Sequence, residues 1–127
     1  MRILLDTHAI LWLALDSHEL PMTVRNVICN PENESFVSIV SAWEISIKIS
    51  IGKLQLEGGV PEFFSIASAN GFKLLPILQE HLMQVESLPF FHRDPFDRML
   101  VAAAISENMH VISRDSQFGL YGVPCIW

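Results

Sequence analysis

Four carboxylates stand where local sequence aims them at element ends: Asp6 after Arg2-Ile-Leu-Leu, Glu44 in Ser41-Ala-Trp-Glu, Asp97 in Asp94-Pro-Phe-Asp and Asp115 in Ser113-Arg-Asp-Ser. Carboxylates are hard oxygen donors. Mg²⁺ and Mn²⁺ take one or two of them per ion and complete their shells with water and phosphate. Three or four such groups brought together could hold one ion or two, and the ions could then drive phosphodiester hydrolysis by water without a protein nucleophile.

Each acid also has a purely structural reading. Asp6 could cap the helix that follows, as could Thr7, although a charge at the end of an apolar strand is costly unless it finds a partner. Glu44 fits the N3 position of a capping box begun by Ser41, and it lies one helical turn before Lys48. Asp94 suits an N-cap, which leaves Asp97 at N3, where the helix dipole favours an anion. Asp115 could close an Asx turn. The histidines at 8, 18, 81, 92 and 110 show no HExxH or other ligand spacing and read as surface or helix-end residues. The tryptophans at 12, 43 and 127 and the phenylalanines read as core before they read as base-stacking platforms. Gly58-Gly59 lacks the pattern of a phosphate-binding loop.

The elements that must position these acids alternate along the chain. Residues 2–5 form a short buried strand and 9–15 a helix; a second helix runs from Pro21 to Ile28 and stops at Asn30-Pro31; a strand follows at 35–40. Between Trp43 and Ile51 apolar and polar residues alternate as in a strand. A strand running from 35 to 51 would be about 17 residues long without a turn, beyond the usual 3 to 10, so the capping box decides for a helix over 42–51, ended by Gly52. A helix from Gly58-Gly59 and Pro61 to Ala69, a strand over 72–77, a helix over 79–87, a loop over 90–93, a long helix from Asp94-Pro95 to Asn108, and strands at 110–113 and 123–127 complete the reading. This is an α/β pattern with a mainly parallel sheet covered on both faces. Ligands of such sheets collect at the carboxyl ends of the strands.

The chain has 127 residues, half of them apolar and 17% charged, as expected of one well-filled domain spanning 1–127. The longest apolar run near the start, Ala9 to Leu15, is far short of the about 20 residues that cross a membrane. Asp6 and His8 break the leader-like start, which is therefore read as mature structure. Two distant cysteines, Cys29 and Cys125, match neither a metal-ligand spacing nor a disulfide framework, and point to a reducing, cytoplasmic setting. A net charge of −6 opposes nucleic-acid binding unless bound cations offset the acids. Arg93, Arg98 and Arg114 lie close to them in sequence.

Taken together, Ile3-Leu-Leu-Asp6-Thr-His, Ser41-Ala-Trp-Glu44-Ile, His92-Arg-Asp-Pro-Phe-Asp97-Arg-Met-Leu-Val-Ala and Ser113-Arg-Asp115-Ser-Gln-Phe resemble the PIN domains of the VapC toxin family. Each piece is short, and their order and spacing across nearly the whole chain carry the resemblance. It implies a three-layer α/β/α fold whose acids bind Mg²⁺ or Mn²⁺ and cut RNA. Asp6, Glu44 and Asp97 would be the three family acids, Asp115 the more variable fourth, and Thr7 and Ser113 supporting hydroxyls, with Asp94 left between ligand and cap. It further implies a homodimer silenced by a cognate antitoxin. Two other readings compete. One is a PIN-like module that binds without cutting. The other is a haloacid-dehalogenase-type phosphatase, which would need a second Asp where His8 stands.

Overall fold

Ile3 and Leu5 face one side of a sheet and Leu4 the other, and all three are fully buried. A strand that reads as unbroken apolar sequence is what a sheet covered on both faces requires. In the computed structural model, which describes residues 1–127, the strands are β1 (Arg2–Leu5), β2 (Glu34–Ser38), β3 (Lys73–Leu75), β4 (His110–Ile112) and β5 (Cys125–Ile126). They lie in the order β3-β2-β1-β4-β5, and every neighbouring pair is parallel.

On the face of Ile3, Leu5, Val37 and Ile112 pack α1 (Thr7–Ala14), α2 (Met22–Cys29), α3 (Ile39–Ser50) and α4 (Val60–Ala69), which contribute Ile10, Val24, Ile45 and Phe63. On the face of Leu4, Phe36, Leu75 and Val111 pack α5 (Gln79–Glu86) and α6 (Pro95–Glu107). The run Val101-Ala-Ala-Ala104 is buried throughout, so α6 is apolar well beyond a single stripe and can lie close against the sheet. The three-layer α/β arrangement expected from the sequence is therefore the observed one. No helix is long and apolar enough to cross a membrane.

Two local expectations are corrected. The helix expected over 42–51 begins at Ile39, and its N-cap is Ser38, whose Oγ accepts the Val40 N–H at 3.0 Å. Ser41 is thus inside the helix and opens no capping box. The alternating isoleucines spread around α3: Ile45 is fully buried, Ile47 and Ile49 half-buried and Ile51 exposed. Their period carries no strand because β2 already ends at Ser38. The other departure is a 3₁₀ helix at Ser116–Tyr121, between β4 and β5, in a stretch without helical periodicity. Its buried Phe118 fixes it to the core.

Candidate active site

β1 is central: the chain lays β2 and then β3 on one side of it, then crosses back through α5 and α6 to place β4 on the other. The reversal of strand order opens a crevice at the carboxyl ends. Asp6 follows β1 there as the N-cap of α1, its Oδ1 accepting the Ala9 N–H at 2.8 Å. Burial pushes its carboxyl above the ordinary carboxylate range, an effect opposed by hydrogen bonds from Ser113 and Ala9 and by the nearby His8, and reinforced by Asp115. Ser113, just past β4, stands between two acids: its hydroxyl favours the ionised Asp6 carboxyl, and its Oγ accepts the Asp115 N–H at 3.0 Å.

Asp97 enters from α6. Asp94 is the N-cap of that helix, with Oδ1 accepting the N–H groups of Phe96 at 2.8 Å and Asp97 at 3.3 Å. The Asp97 carboxyl is pushed up to about 6, first by burial and then by Asp94, with Glu44 and Asp6 adding to the effect and His92 opposing it. An anion surrounded by anions is short of counter-charge.

Asp6, Asp97 and Asp115 line a cavity of about 250 Å³ together with His8, Trp12, Arg114 and Phe118. Glu44 does not line it. This buried side chain accepts the Thr7 hydroxyl at Oε1 (2.8 Å) and pairs through Oε2 with Lys48 Nζ (2.6 Å). Thr7 Oγ1 also shares a hydrogen bond with Ser41 Oγ at 2.9 Å, so the first turn of α1 is tied to α3 beneath the cavity. The hydrogen bond from Lys48 to Glu44 raises the ammonium's pKa, with Asp94 and Asp97 adding to the same effect. The structure thus brings three of the four acids to one cavity, and the fourth stands behind them within electrostatic reach of Asp97.

Hard carboxylate donors suit Mg²⁺ or Mn²⁺ in type. As they stand, no three His, Cys, Asp or Glu side chains are grouped closely enough to hold an ion. Two of the three acids on the cavity have oxygens already engaged. Asp115 is engaged at Oδ1 by the Gln117 N–H and at Oδ2 by His92, and Asp6 is engaged at Oδ1 by the Ala9 N–H. No hydrogen bond engages the Asp97 carboxylate, which leaves it the freest donor of the set.

Several residues behave differently from their sequence reading. His92 and His81 are buried, not superficial. His92 joins Asp115 to Tyr121. His81 Nδ1 accepts the Leu78 N–H at 3.2 Å, so its Nε2 donates to Glu107 Oε1 at 3.0 Å. Arg98, expected near the acids as a cation, is also buried. It donates to the carbonyls of Val85, Leu88 and Pro89 and stacks on Phe90, which ties α6 to the end of α5. None of the tryptophans is fully buried, although Trp12 packs against the core. Trp43 is 59% exposed, with its ring edge-on to Phe96, and Trp12 borders the cavity. Histidine spacing held no signal for His92, because its partners lie 23 and 29 residues away.

The fold is shared with solved toxin-antitoxin assemblies at low sequence identity. A chain of the VapBC2 complex from Rickettsia felis, solved with a promoter DNA fragment, superposes with a TM-score of 0.76 at 12% identity, covering 99% of this chain and 98% of that one. VapBC-1 from nontypeable Haemophilus influenzae gives 0.69 at 14% identity, covering 99% and 97%. FitAcB from Neisseria gonorrhoeae gives 0.67 at 18%, covering 98% and 96%. No curated protein matches by sequence. The PIN domain description matches residues 3–123, which takes in β1, the acid-lined crevice and α6. The chain belongs to the PIN domain family.

Proposed function

We propose that this chain, acting as a single PIN domain, is a Mg²⁺- or Mn²⁺-dependent endoribonuclease, the toxin of a toxin-antitoxin pair. The observation that carries the reading is the placing of Asp6, Asp97 and Asp115 on one cavity at the carboxyl ends of β1 and β4, with Asp97 held near 6 by burial and by neighbouring acids. Such a cluster is relieved by a cation. Asp97 would be the principal ligand, with Asp6 and Asp115 contributing and Glu44 adding charge from behind. When bound, the ion supplies Lewis acidity toward a phosphate and makes water a stronger nucleophile. The protein's part is positional. Ser113 stands between Asp6 and Asp115, Asp94 caps the helix that presents Asp97, and Thr7 orients Glu44.

The toxin reading rests on the likeness in fold to chains of VapBC and FitAB assemblies. A cognate antitoxin, a homodimeric assembly and a cytoplasmic setting belong to the same proposal. Purified antitoxin-free protein should cut single-stranded or loop RNA with added Mg²⁺ or Mn²⁺ and stop in EDTA. Protein that binds the metal yet cuts no RNA, structured tRNA included, would leave the non-catalytic binding module as the better reading.

A further inference from the structure

The acid cavity has a second set of lining residues with a different chemistry. His8 and Trp12 stand one turn apart on α1 and so share a face. Their rings stack at 5.4 Å between centroids and 29° between planes. The Arg114 guanidinium lies over the Trp12 ring at 4.6 Å, and Trp127 packs against Trp12 at 5.6 Å. All of the cavity's lining other than the acids and Phe118 is this group: His8, Trp12 and Arg114. Core packing accounts for one edge of Trp12, which touches the apolar cluster of Ile3 and Ile10. It leaves the exposed His8 ring and the exposed Arg114 unexplained.

We propose that His8 and Trp12 form a stacking subsite for one unpaired base of single-stranded RNA, with Arg114 taking the adjoining phosphate. The subsite rests on the ribonuclease reading above, and it would seat the neighbouring phosphodiester at Asp6, Asp97 and Asp115. A paired base keeps both faces inside its own stack, whereas an unpaired one offers a face to an aromatic ring. Every base has such a face, so the subsite selects unpaired over paired nucleotides and not one base over another. Arg114 is the only Lys or Arg on the cavity, and in a chain of net charge −6 it supplies the cation that a backbone needs there. Its present partner, Glu19, forms an exposed ion pair of the kind that a phosphate can replace at little cost.

Binding can be read apart from cutting. The full-length chain in EDTA is titrated with a labelled RNA tetranucleotide and with the same sequence held in a duplex, following anisotropy and tryptophan fluorescence. Quenching by the single strand is expected, with the duplex bound at least about tenfold more weakly. His8→Ala should weaken single-strand binding about five- to a hundredfold, the usual worth of one stacked base. Trp12→Phe, which keeps a ring against the core, should stay close to wild type, while Trp12→Ala should fall with His8→Ala. Arg114→Gln should lower the slope of log affinity against log salt by about 0.7, one phosphate contact to a single strand. Trp43→Phe is the control and should change nothing. Wild-type affinity in both His8→Ala and Arg114→Gln, or equal affinity for duplex and single strand, overturns the subsite. If RNA is nevertheless cut with Mg²⁺, the ribonuclease reading survives that result. A chain that neither binds nor cuts RNA overturns both.

Discussion

His92 Nε2 lies 2.6 Å from Asp115 Oδ2, and its Nδ1 lies 3.0 Å from the Tyr121 hydroxyl, which also accepts the His92 backbone N–H at 2.8 Å. The loop before α6 is thereby joined to both ends of the 3₁₀ helix, since Asp115 is its N-cap and Tyr121 its last residue. His92→Ala leaves the Tyr121 hydroxyl and one Asp115 oxygen without this partner. We expect a loss of about 0.5 to 1.5 kcal/mol in denaturant unfolding, the usual net worth of a hydrogen bond, because the Asp115 carboxylate is partly exposed and Tyr121 still accepts the backbone N–H of residue 92. Tyr121→Phe keeps the Asp115 contact but removes the acceptor of the His92 backbone N–H, so it should cost at least as much. Equal stability of His92→Ala and wild type would show that the bridge holds nothing.

Arg98 and Arg114 both stand near the acids in sequence, yet they should behave as opposites. Arg98 is buried and donates to three carbonyls, so Arg98→Ala should cost several kcal/mol by thermal or chemical melting. Arg98→Lys should recover little, because an ammonium cannot reproduce the guanidinium fork. Arg114 is exposed, and Arg114→Gln should change stability by less than about 1 kcal/mol.

Asp94 and Asp97 separate cap from donor. Asp94→Ser keeps an N-cap oxygen and should keep stability and most cleavage, whereas Asp94→Ala should lose about 0.5 to 2 kcal/mol. Asp97→Asn should be inactive and bind Mn²⁺ weakly, while being no less heat-stable than wild type in EDTA. A dead Asp94→Ser beside an active Asp97→Asn would reverse the assignment.

The raised carboxyls set a pH dependence of definite sign. Asp97 titrates near 6 in the fold against 3.8 ordinarily, and Asp6 is displaced in the same direction. Between those values the native state binds a proton that the unfolded chain has lost, so stability should be highest below about pH 4 on this account and fall as pH rises through 6. Melts in EDTA across pH 4 to 7 should show the fall, and Asp97→Asn should flatten it. Saturating Mg²⁺ should restore melting temperature mainly at the upper end, where the carboxylates are ionised and the ion binds only the native chain. A stability curve that rises steadily from pH 4 to 7 in EDTA would contradict the burial and charge crowding around Asp97.

What the sequence determined by itself is what short-range physics can write. Apolar runs of strand length, Asp94-Pro95 at a helix start and the glycines and asparagines that end helices mark out every strand and all six α-helices to within a few residues, because periodicity and capping are local. The placing of Asp6 and Asp115 at strand ends follows from the same rules. Tertiary structure decided which local option won where two were available, as with Ser38 over Ser41 as the cap of α3, because only β2's pairing with β1 shows where the strand must stop. It also decided everything that depends on distance in space: Glu44 facing Thr7 and Lys48 and not the cavity, His92 reaching Asp115 and Tyr121, Arg98 turned into the carbonyls at and just after the end of α5, and Trp12 beside the acids. Apart from Glu44 and Lys48, which stand one helical turn apart, these pairings join residues that sequence spacing cannot relate. The burial of each polar group makes its partner obligatory, and only the packed chain shows which partner that is.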